Sequence, residues 1–185
     1  MTAETMMRGG RWRRAVWGAA VAVLLLPLVA MQFTRDVNWT PSDFVVAGVL
    51  LGAVLAGYEF LARRAGSAWY RVGSGVALFT GLFLTWVNLA VGIIGSENND
   101  ANMMYAGVLA VAVGGACLAH FRPRGMARAM LAAAAAQVIA GAIALALDLG
   151  VDGRAWPRDV IGATGIITGL WLIAATLFGI AARRP

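Results

Sequence analysis

The chain has 185 residues, of which 61% are hydrophobic and 13% charged, and its formal net charge is +6. Soluble domains carry about 25% charged residues, so this composition, with a mean hydropathy of +0.76, excludes a water-soluble globule. The positive charge does not indicate nucleic acid as a partner, because all fifteen basic residues are arginines and most of them border apolar runs.

The apolar residues form six runs that are long enough to cross a bilayer. A hydrocarbon core of roughly 30 Å needs about 20 apolar residues in helical conformation. In chain order the predicted helices cover residues 15–33, 43–62, 73–95, 102–121, 126–149 and 159–182. Because little chain remains outside these runs, we expect residues 1–185 to form a single integral membrane domain, an all-α bundle of six transmembrane helices.

The first predicted helix follows the basic segment RGGRWRR, residues 8–14, as the apolar part of a secretory signal peptide would. Its apolar run is longer than that of a typical signal peptide. The sequence LVA, residues 28–30, also lacks the small residue expected three places before a cleavage site. We therefore expect an uncleaved first helix.

The second predicted helix has a clear start, because Thr40 can cap it, Pro41 suits its first position and Asp43 suits the positive end of the helix dipole. This helix shares the sequence AGVL, residues 47–50, with the fourth helix at residues 106–109. A duplicated two-helix hairpin would produce that similarity, and so would shared membrane composition. Both explanations stay open.

Small and polar residues recur along the third predicted helix at steps of three and four, which places them on one face. They are Ser74, Ala77, Gly81, Thr85, Asn88, Gly92 and Gly95. Small residues also recur at helical spacing on three other helices: Gly48, Gly52 and Ala56; Gly107, Ala110, Gly114 and Cys117; Gly165 and Gly169. Helices in lipid approach each other closely at such residues, so we expect these faces to meet inside a tight bundle.

The arginines are distributed unequally between the two sets of loops and ends. Twelve lie at the N-terminus, in the second and fourth loops, or at the C-terminus: Arg8, Arg11, Arg13, Arg14, Arg63, Arg64, Arg71, Arg122, Arg124, Arg128, Arg183 and Arg184. Only Arg35, Arg154 and Arg158 lie in the first and fifth loops. Cytoplasmic loops are rich in arginine, so we expect both termini to be cytoplasmic in a bacterial inner membrane.

Three strongly polar side chains fall inside the predicted spans: Glu59, Asn88 and Gln137. Such residues are costly in hydrocarbon and are candidates for function, here as a polar ladder for protons or a small solute. The structural alternative pairs Glu59 with Arg63, four residues later, at the membrane surface. Asn88 and Gln137 would then serve as hydrogen-bonding contacts between helices.

Other residues give little indication of chemistry. Cys117 and His120 lie one turn apart and could form a nucleophile and a base, but no third member is identifiable, so packing is the favoured interpretation. The sequence has one cysteine and one histidine and no hydrolase, metalloprotease or nucleotide-binding motif in a supporting context. We expect no cofactor, no metal and no catalytic residue.

The polar segment GSENNDAN, residues 95–102, lies between the third and fourth predicted helices. Asn98, Asp100 and Asn102 alternate as at the start of a calcium-binding loop. However, Met103 replaces the glycine of that loop, and Leu109 replaces its bidentate glutamate. We expect a turn, with Asn99 or Asp100 as helix cap; a weak cation site or a partner contact is the alternative.

The segments TWVNLAVGIIGSENNDANMMYAGVL, residues 85–109, and RPRGMARA, residues 122–129, resemble small bacterial polytopic inner-membrane proteins of uncharacterised activity. The resemblance implies the fold and the compartment, and it implies no activity, cofactor or site residue. The lipid bilayer is the expected environment, and a second copy of the chain or another membrane protein is the expected partner.

Because small-residue faces are abundant and reactive side chains scarce, we expect a non-enzymatic membrane component that associates with itself or with a larger complex. The alternative is a small transporter or channel that uses Glu59, Gln137 and Asn88. A membrane-embedded enzyme is the third option.

Overall fold

The computed structural model describes residues 3–34 and 37–183, with side chains from residue 16 onward. Its elements are α1 (Ala3–Ala30), α2 (Pro41–Arg64), α3 (Ala68–Ala90), a 3-10 helix (Asp100–Met103), α4 (Met104–Leu118), α5 (Pro123–Ala146) and α6 (Arg158–Arg183). The described residues contain six α-helices and no strand, so the predicted all-α transmembrane architecture is confirmed.

Five of the described segments are long and apolar enough to cross a membrane: α2, α3, Asp100–Leu118, α5 and α6. The apolar part of α1, Val16–Ala30, is shorter. These segments make the chain a multi-pass membrane protein. Arg35 and Arg184, which enter the predicted arginine distribution, lie outside the described residues.

Four of the predicted helices differ from the structure by three or more residues at a boundary. The fifth helix, predicted at 126–149, lies at Pro123–Ala146. The first helix begins at Ala3 instead of residue 15, because an apolar run marks only the part of a helix that suits lipid. The predicted third helix, 73–95, lies at 68–90, since Ser67 caps its start and Gly92 turns the chain with a φ of +70° after its end. The fourth helix ends at Leu118 instead of residue 121, and His120 and Phe121 follow with φ values of 48° and 58°.

The described residues fall into two compact units, divided within α2 between Ala56 and Gly57. In the first unit the side chain of Asp43 accepts hydrogen bonds from the backbone N–H of Thr40, at 2.7 Å, and from its hydroxyl, at 2.8 Å. α2 begins at the next residue, Pro41, as its sequence predicts. On the same helix Gly48 faces the side chain of Leu24 on α1.

The second unit contains the end of α2 and the helices α3 to α6. α5 packs along both α4 and α6, and α6 packs along α3, whereas α3 and α4 contact each other sparsely. Small residues allow the close packing: a Cβ added at Gly115 on α4 would lie 2.8 Å from the Cβ of Ala129 on α5, and one added at Gly73 on α3 would lie 3.2 Å from the Cβ of Leu177 on α6.

The polar face predicted for α3 is directed partly into this bundle. Ser74 and Ala77 are buried, and Gly81 faces Leu109 on α4. Gly92 and Gly95, which were predicted to continue the face, lie instead in the loop after α3.

The small-residue face predicted for α4 is not buried in the bundle. Its four members, Gly107, Ala110, Gly114 and Cys117, are all exposed. On α6, Gly165 is exposed as well. The reason is geometric, since α4 presents its other side, with the buried residues Tyr105, Val108, Ala112 and Ala116, to the rest of the unit.

At one end of the second unit, which we call the arginine end, the start of α3 is joined to the turn between α4 and α5. The hydroxyl of Tyr70 donates a hydrogen bond of 2.7 Å to the carbonyl of Phe121. The guanidinium of Arg64 lies 3.8 Å from the ring centre of Phe60, which in turn contacts the ring of Phe121 edge to face. The opposite end, which we call the amide end, comprises the loops 91–103 and 147–157.

Candidate functional site

The loop at the amide end is shaped by two glycines. Gly92 and Gly95 have φ values of +70° and +75°, in the left-handed region that glycine adopts at little cost. A Cβ at Gly92 would collide with the carbonyl group of Ser96. A Cβ at Gly153 would lie 2.8 Å from the Cα of Gly95, so the two loops of this end approach each other at backbone distance.

The side chain of Asn102 holds the loop in place. Its Oδ1 accepts hydrogen bonds from the backbone N–H groups of Ile93, at 3.0 Å, and Ile94, at 2.9 Å. Its Nδ2 donates to the carbonyl of Ser96 at 2.7 Å. This one amide therefore replaces the backbone partners that residues 93 to 96 lose when α3 ends.

Asn99 has a related role. Its Oδ1 accepts from the backbone N–H of Ala101 at 3.0 Å and so caps the 3-10 helix before α4. Its Nδ2 donates to the carbonyl of Leu149 at 2.7 Å, which ties the loop to the segment between α5 and α6. The amide-rich segment is thus the turn between α3 and α4. Asn99 caps the 3-10 helix of this turn, whereas α4 itself begins after Met103, which makes no side-chain cap hydrogen bond.

This turn covers a cleft of about 470 Å³ between α3 and α4. Its walls come from α3, from the turn and from the start of α4: Thr85, Asn88, Leu89, Glu97, Asn98, Asn99, Asp100, Asn102, Met103, Tyr105, Ala106 and Leu109. The lining contains two carboxylates and no basic residue. The volume lies within the range of small-molecule sites, about 300 to 1,000 Å³, and the mixture of an apolar wall with a few polar groups is typical of them.

Two polar atoms of residues that line the cleft lack a hydrogen-bond partner among the described residues. The Nδ2 of Asn88 donates to the carbonyl of Leu84 on its own helix at 2.9 Å, but the Oδ1 of Asn88 is buried without a partner. Tyr105 is 1% exposed, and its hydroxyl lies against the side chain of Thr164 on α6 without a hydrogen bond of standard geometry. An unsatisfied buried polar group costs about 1 to 3 kcal/mol, and neither of these two atoms is accessible from the cleft.

Gln137 lies elsewhere, on α5 against α6. It is fully buried, and neither atom of its amide has a hydrogen-bond partner among the described residues. One turn along α5, Gly141 is in close contact with Thr164 on α6. Because α5 and α6 are antiparallel neighbours, Thr168 lies at the level of Gln137, and the hydroxyls of both threonines are likewise unpartnered.

Glu59 lies at the arginine end. Its carboxylate is 3.5 Å from the guanidinium of Arg63, with the glutamate side chain 22% and the arginine side chain 72% exposed. This is the surface ion pair that the structural alternative predicts. Glu59 and Gln137 are both absent from the lining of the cleft, so the structure does not gather the three candidate residues, with Asn88, into one cavity.

Cys117 and His120 could form a nucleophile and a base, but among the described residues no third catalytic side chain is seen to join them. Cys117 is exposed on α4, and the Nδ1 of His120 lies 3.0 Å from the carbonyl of Leu118. Among the described residues no three histidine, cysteine, aspartate or glutamate side chains are grouped so that they could hold a metal ion.

Sequence reasoning missed Tyr105 and the partner-forming role of Asn102. The one local signal was their position at the start of a helix, directly after a polar segment. Comparison of the chain with protein-family models, with curated proteins and with solved structures finds no match.

Proposed function

We propose that this chain is a non-enzymatic component of a bacterial inner membrane and that copies of it associate through one side of α4. The observation that supports the proposal is the exposure of Gly107, Ala110, Gly114 and Cys117, which we call the α4 face. Their spacing of three, four and three residues places them on the same side of the helix. A Cβ added at Gly107 or Gly114 would meet no described atom within 4 Å.

Such a face suits contact with another helix better than contact with lipid. Lipid chains are as apolar as leucine, so helices in a bilayer associate through close van der Waals approach, and that approach requires small residues. The buried positions of α4 are already used within the second unit. The α4 face is therefore the side on which a second copy can come closest to the backbone.

The polar side chains of the spans support a structural role. The hydroxyls of Ser74, Thr80 and Thr85 each donate to the carbonyl four residues earlier on α3. The hydroxyl of Thr176 does the same on α6. These bonds reduce the cost of burying a hydroxyl in lipid without joining it to a reactive group.

For orientation, we propose that both termini are cytoplasmic, with the arginine end on the cytoplasmic side. The basis is the arginine distribution of the sequence. At the amide end and the adjoining start of α6, five acidic residues accompany Arg154 and Arg158: Glu97, Asp100, Asp148, Asp152 and Asp159.

The only cysteine of the chain, Cys117, makes association directly testable. In a twofold dimer with its axis along the membrane normal, residues of the same number lie at the same depth. Mild thiol oxidation in native membranes should therefore produce a disulfide-linked dimer through Cys117. Gly114→Leu should abolish this dimer, because a bulky side chain separates the helices.

The matched control is Gly162→Leu on α6, at a glycine that also has no described atom within 4 Å of an added Cβ. This variant should still form the linked dimer. Absence of the dimer in the parent, or equal yields in the parent and Gly114→Leu, would refute association through the α4 face.

A small transporter or channel is the second candidate, and the buried, unpartnered amide of Gln137 is the observation in its favour. Intramembrane polar groups without partners often lie on solute or proton paths. In that case Gln137→Leu should remove proton or solute flux in liposomes while the protein stays folded. Equal flux in parent and variant, or no flux above empty liposomes, would exclude a path through Gln137.

A further inference from the structure

We propose that water molecules bind along a row of buried polar side chains between α4, α5 and α6, and that they enter this row from the amide end. The row consists of Tyr105 on α4, Gln137 on α5, and Thr164, Thr168 and Trp171 on α6; we call it the interior row. The inference does not depend on association through the α4 face. It also differs from a path across the membrane, because the row ends near the middle of α6.

Each member of the interior row has a buried polar atom without a hydrogen-bond partner among the described residues. These atoms are the hydroxyl oxygens of Tyr105, Thr164 and Thr168, the Nε1 of Trp171 and both polar atoms of the Gln137 amide. Elsewhere in the described part of the chain, only the Oδ1 of Asn88 is in the same state. The buried hydroxyls of α3, by contrast, donate to carbonyls of their own helix. Unpartnered polar atoms are therefore concentrated in this row.

The packing of the helices places the members of the row next to each other. The three members on α6 recur at steps of four and three residues, so they lie on one face of that helix. The hydroxyl of Tyr105 lies against Thr164, and Thr164 is in close contact with Gly141 on α5. Because α5 and α6 are antiparallel, Gln137, one turn before Gly141, lies at the level of Thr168. The row thus follows the interface between α5 and α6.

The neighbours of Gln137 on α5 cannot satisfy its amide. The buried residues on either side of it are Ala133, Ala134, Ala140, Gly141 and Ala144, whose side chains have no polar atom. Gln137 itself is 0% exposed, so its amide does not reach the solvent around the protein. Polar groups that are near each other without a direct hydrogen bond are commonly bridged by water.

The chemistry of the row selects water as the ligand. None of its members carries a formal charge, so the row offers nothing to compensate an ion for its lost hydration. The indole Nε1 of Trp171 can only donate, whereas the amide of Gln137 and the three hydroxyls can donate and accept. The ligand must therefore do both and must also be small enough to lie between packed helices. Water meets these conditions.

The positions of the members indicate where water enters. Tyr105 is the second residue of α4 and directly follows the polar turn of the amide end, whereas Trp171 lies at the middle of α6. Beyond Trp171, toward the arginine end, the buried residues of α6 are all apolar: Ala174, Ala175, Phe178 and Ala181. The interior row therefore connects with the amide end and is closed on the other side.

The first test detects water at Trp171 in the full chain, isotope-labelled at the tryptophan indole nitrogens and held in nanodiscs. Magnetic resonance transfer from water to an indole N–H reports water in contact with it, and the Trp171 signal is identified by its loss in Trp171→Phe. Transfer to Trp171 is expected although this side chain is only 2% exposed. Trp69, 40% exposed at the start of α3, is the positive control. Transfer to Trp69 without transfer to Trp171 would overturn the proposal.

The second test concerns the route of entry. Thr164→Val keeps the shape of the side chain and removes its hydroxyl, which lies between Trp171 and the amide end. This variant should lower the transfer from water to the Trp171 indole. The matched control is Thr80→Val, because the hydroxyl of Thr80 is fully buried on α3 but donates to the carbonyl of Val76, outside the row. Equal transfer in Thr164→Val and the parent would refute entry from the amide end.

The third test uses stability and a second variant, Thr168→Val. In a row without water, the hydroxyl of Thr168 stays unpartnered, and its replacement by an apolar group of the same shape leaves stability unchanged or raises it. In a row with bound water, the same replacement removes a partner of that water. Thr168→Val should then lower the melting temperature in detergent by about 2 °C or more. An unchanged or higher melting temperature would overturn the proposal.

Discussion

Substitution of Asn102 by alanine tests how the amide end is built. Alanine removes one acceptor that serves the N–H groups of Ile93 and Ile94 and one donor that serves the carbonyl of Ser96. The side chains of Ile93 and Ile94 are fully buried, so this part of the loop cannot move into water without uncovering them. The N–H groups of Ile93 and Ile94 and the carbonyl of Ser96 would therefore keep their positions and lose their hydrogen-bond partners.

The expected magnitude follows from those three hydrogen bonds, each of 3.0 Å or less; the longer bond from the same Nδ2 to the carbonyl of Ile94, at 3.4 Å, adds little. At roughly 0.5 to 1.5 kcal/mol each, their loss should lower the free energy of unfolding by about 1.5 to 4.5 kcal/mol. The matched control is Asn98→Ala, because this exposed amide donates only to its neighbour Glu97. The control should change the free energy of unfolding by less than about 0.5 kcal/mol.

Unfolding can be followed by tryptophan fluorescence in mixed micelles as the fraction of a denaturing detergent is raised. Far-ultraviolet circular dichroism should show that both variants start from the parent's helical content. The contrary result is that Asn102→Ala unfolds at the same detergent fraction as the parent and Asn98→Ala. That result would show that the hydrogen bonds of Asn102 do not fix the conformation of the loop.

The remaining predictions concern topology, glycines and calcium. A reporter active only in the cytoplasm should work when fused after residues 66, 125 or 185 and fail after residues 38, 99 or 153, and one clear reversal would contradict the proposed orientation. Gly92→Leu should lower the melting temperature in detergent, because the positive φ of Gly92 and the nearby carbonyl of Ser96 leave no room for a side chain. Gly107→Leu should leave the melting temperature unchanged, because no described atom lies within 4 Å of an added Cβ. Equal melting temperatures for the two variants would refute this contrast. Millimolar calcium should shift the melting temperature of the parent and of the double variant Glu97→Gln, Asp100→Asn equally, and a rise confined to the parent would establish a calcium site.

The helices themselves could be predicted because lipid leaves a backbone few options. A span without water must satisfy its N–H and C=O groups internally, so an apolar run of about 20 residues becomes a helix. The start of α2 was equally predictable, since Thr40, Pro41 and Asp43 act over a single turn. Such local signals need no knowledge of the rest of the chain.

The end of α3 was misplaced for a physical reason. Val91, Ile93 and Ile94 continue the apolar run beyond Ala90, yet they belong to the loop. Ile93 and Ile94 are apolar because they are buried beneath the turn, and hydropathy does not distinguish a buried loop residue from a helical one. The positive φ values of Gly92 and Gly95 mark the true boundary.

The site could be predicted only in part. Asn88 was identified from its polarity, but the cleft that it lines depends on the separation between α3 and α4. The role of Asn102 depends on backbone groups eight and nine residues earlier, which come within reach only because the loop folds back. Tyr105 gave no signal of its own, since a tyrosine near a helix start most often marks the membrane interface.

The sequence by itself determined the membrane class, the helices and the polar turn, because each depends on local composition and on the length that a bilayer imposes. Only the tertiary structure decided which small-residue faces are covered. Ser74 and Ala77 on α3 are buried, whereas Gly107 and Gly114 on α4 are open, although both sets have the same helical spacing. Burial depends on which helices are neighbours, and that arrangement is a property of the whole packed unit.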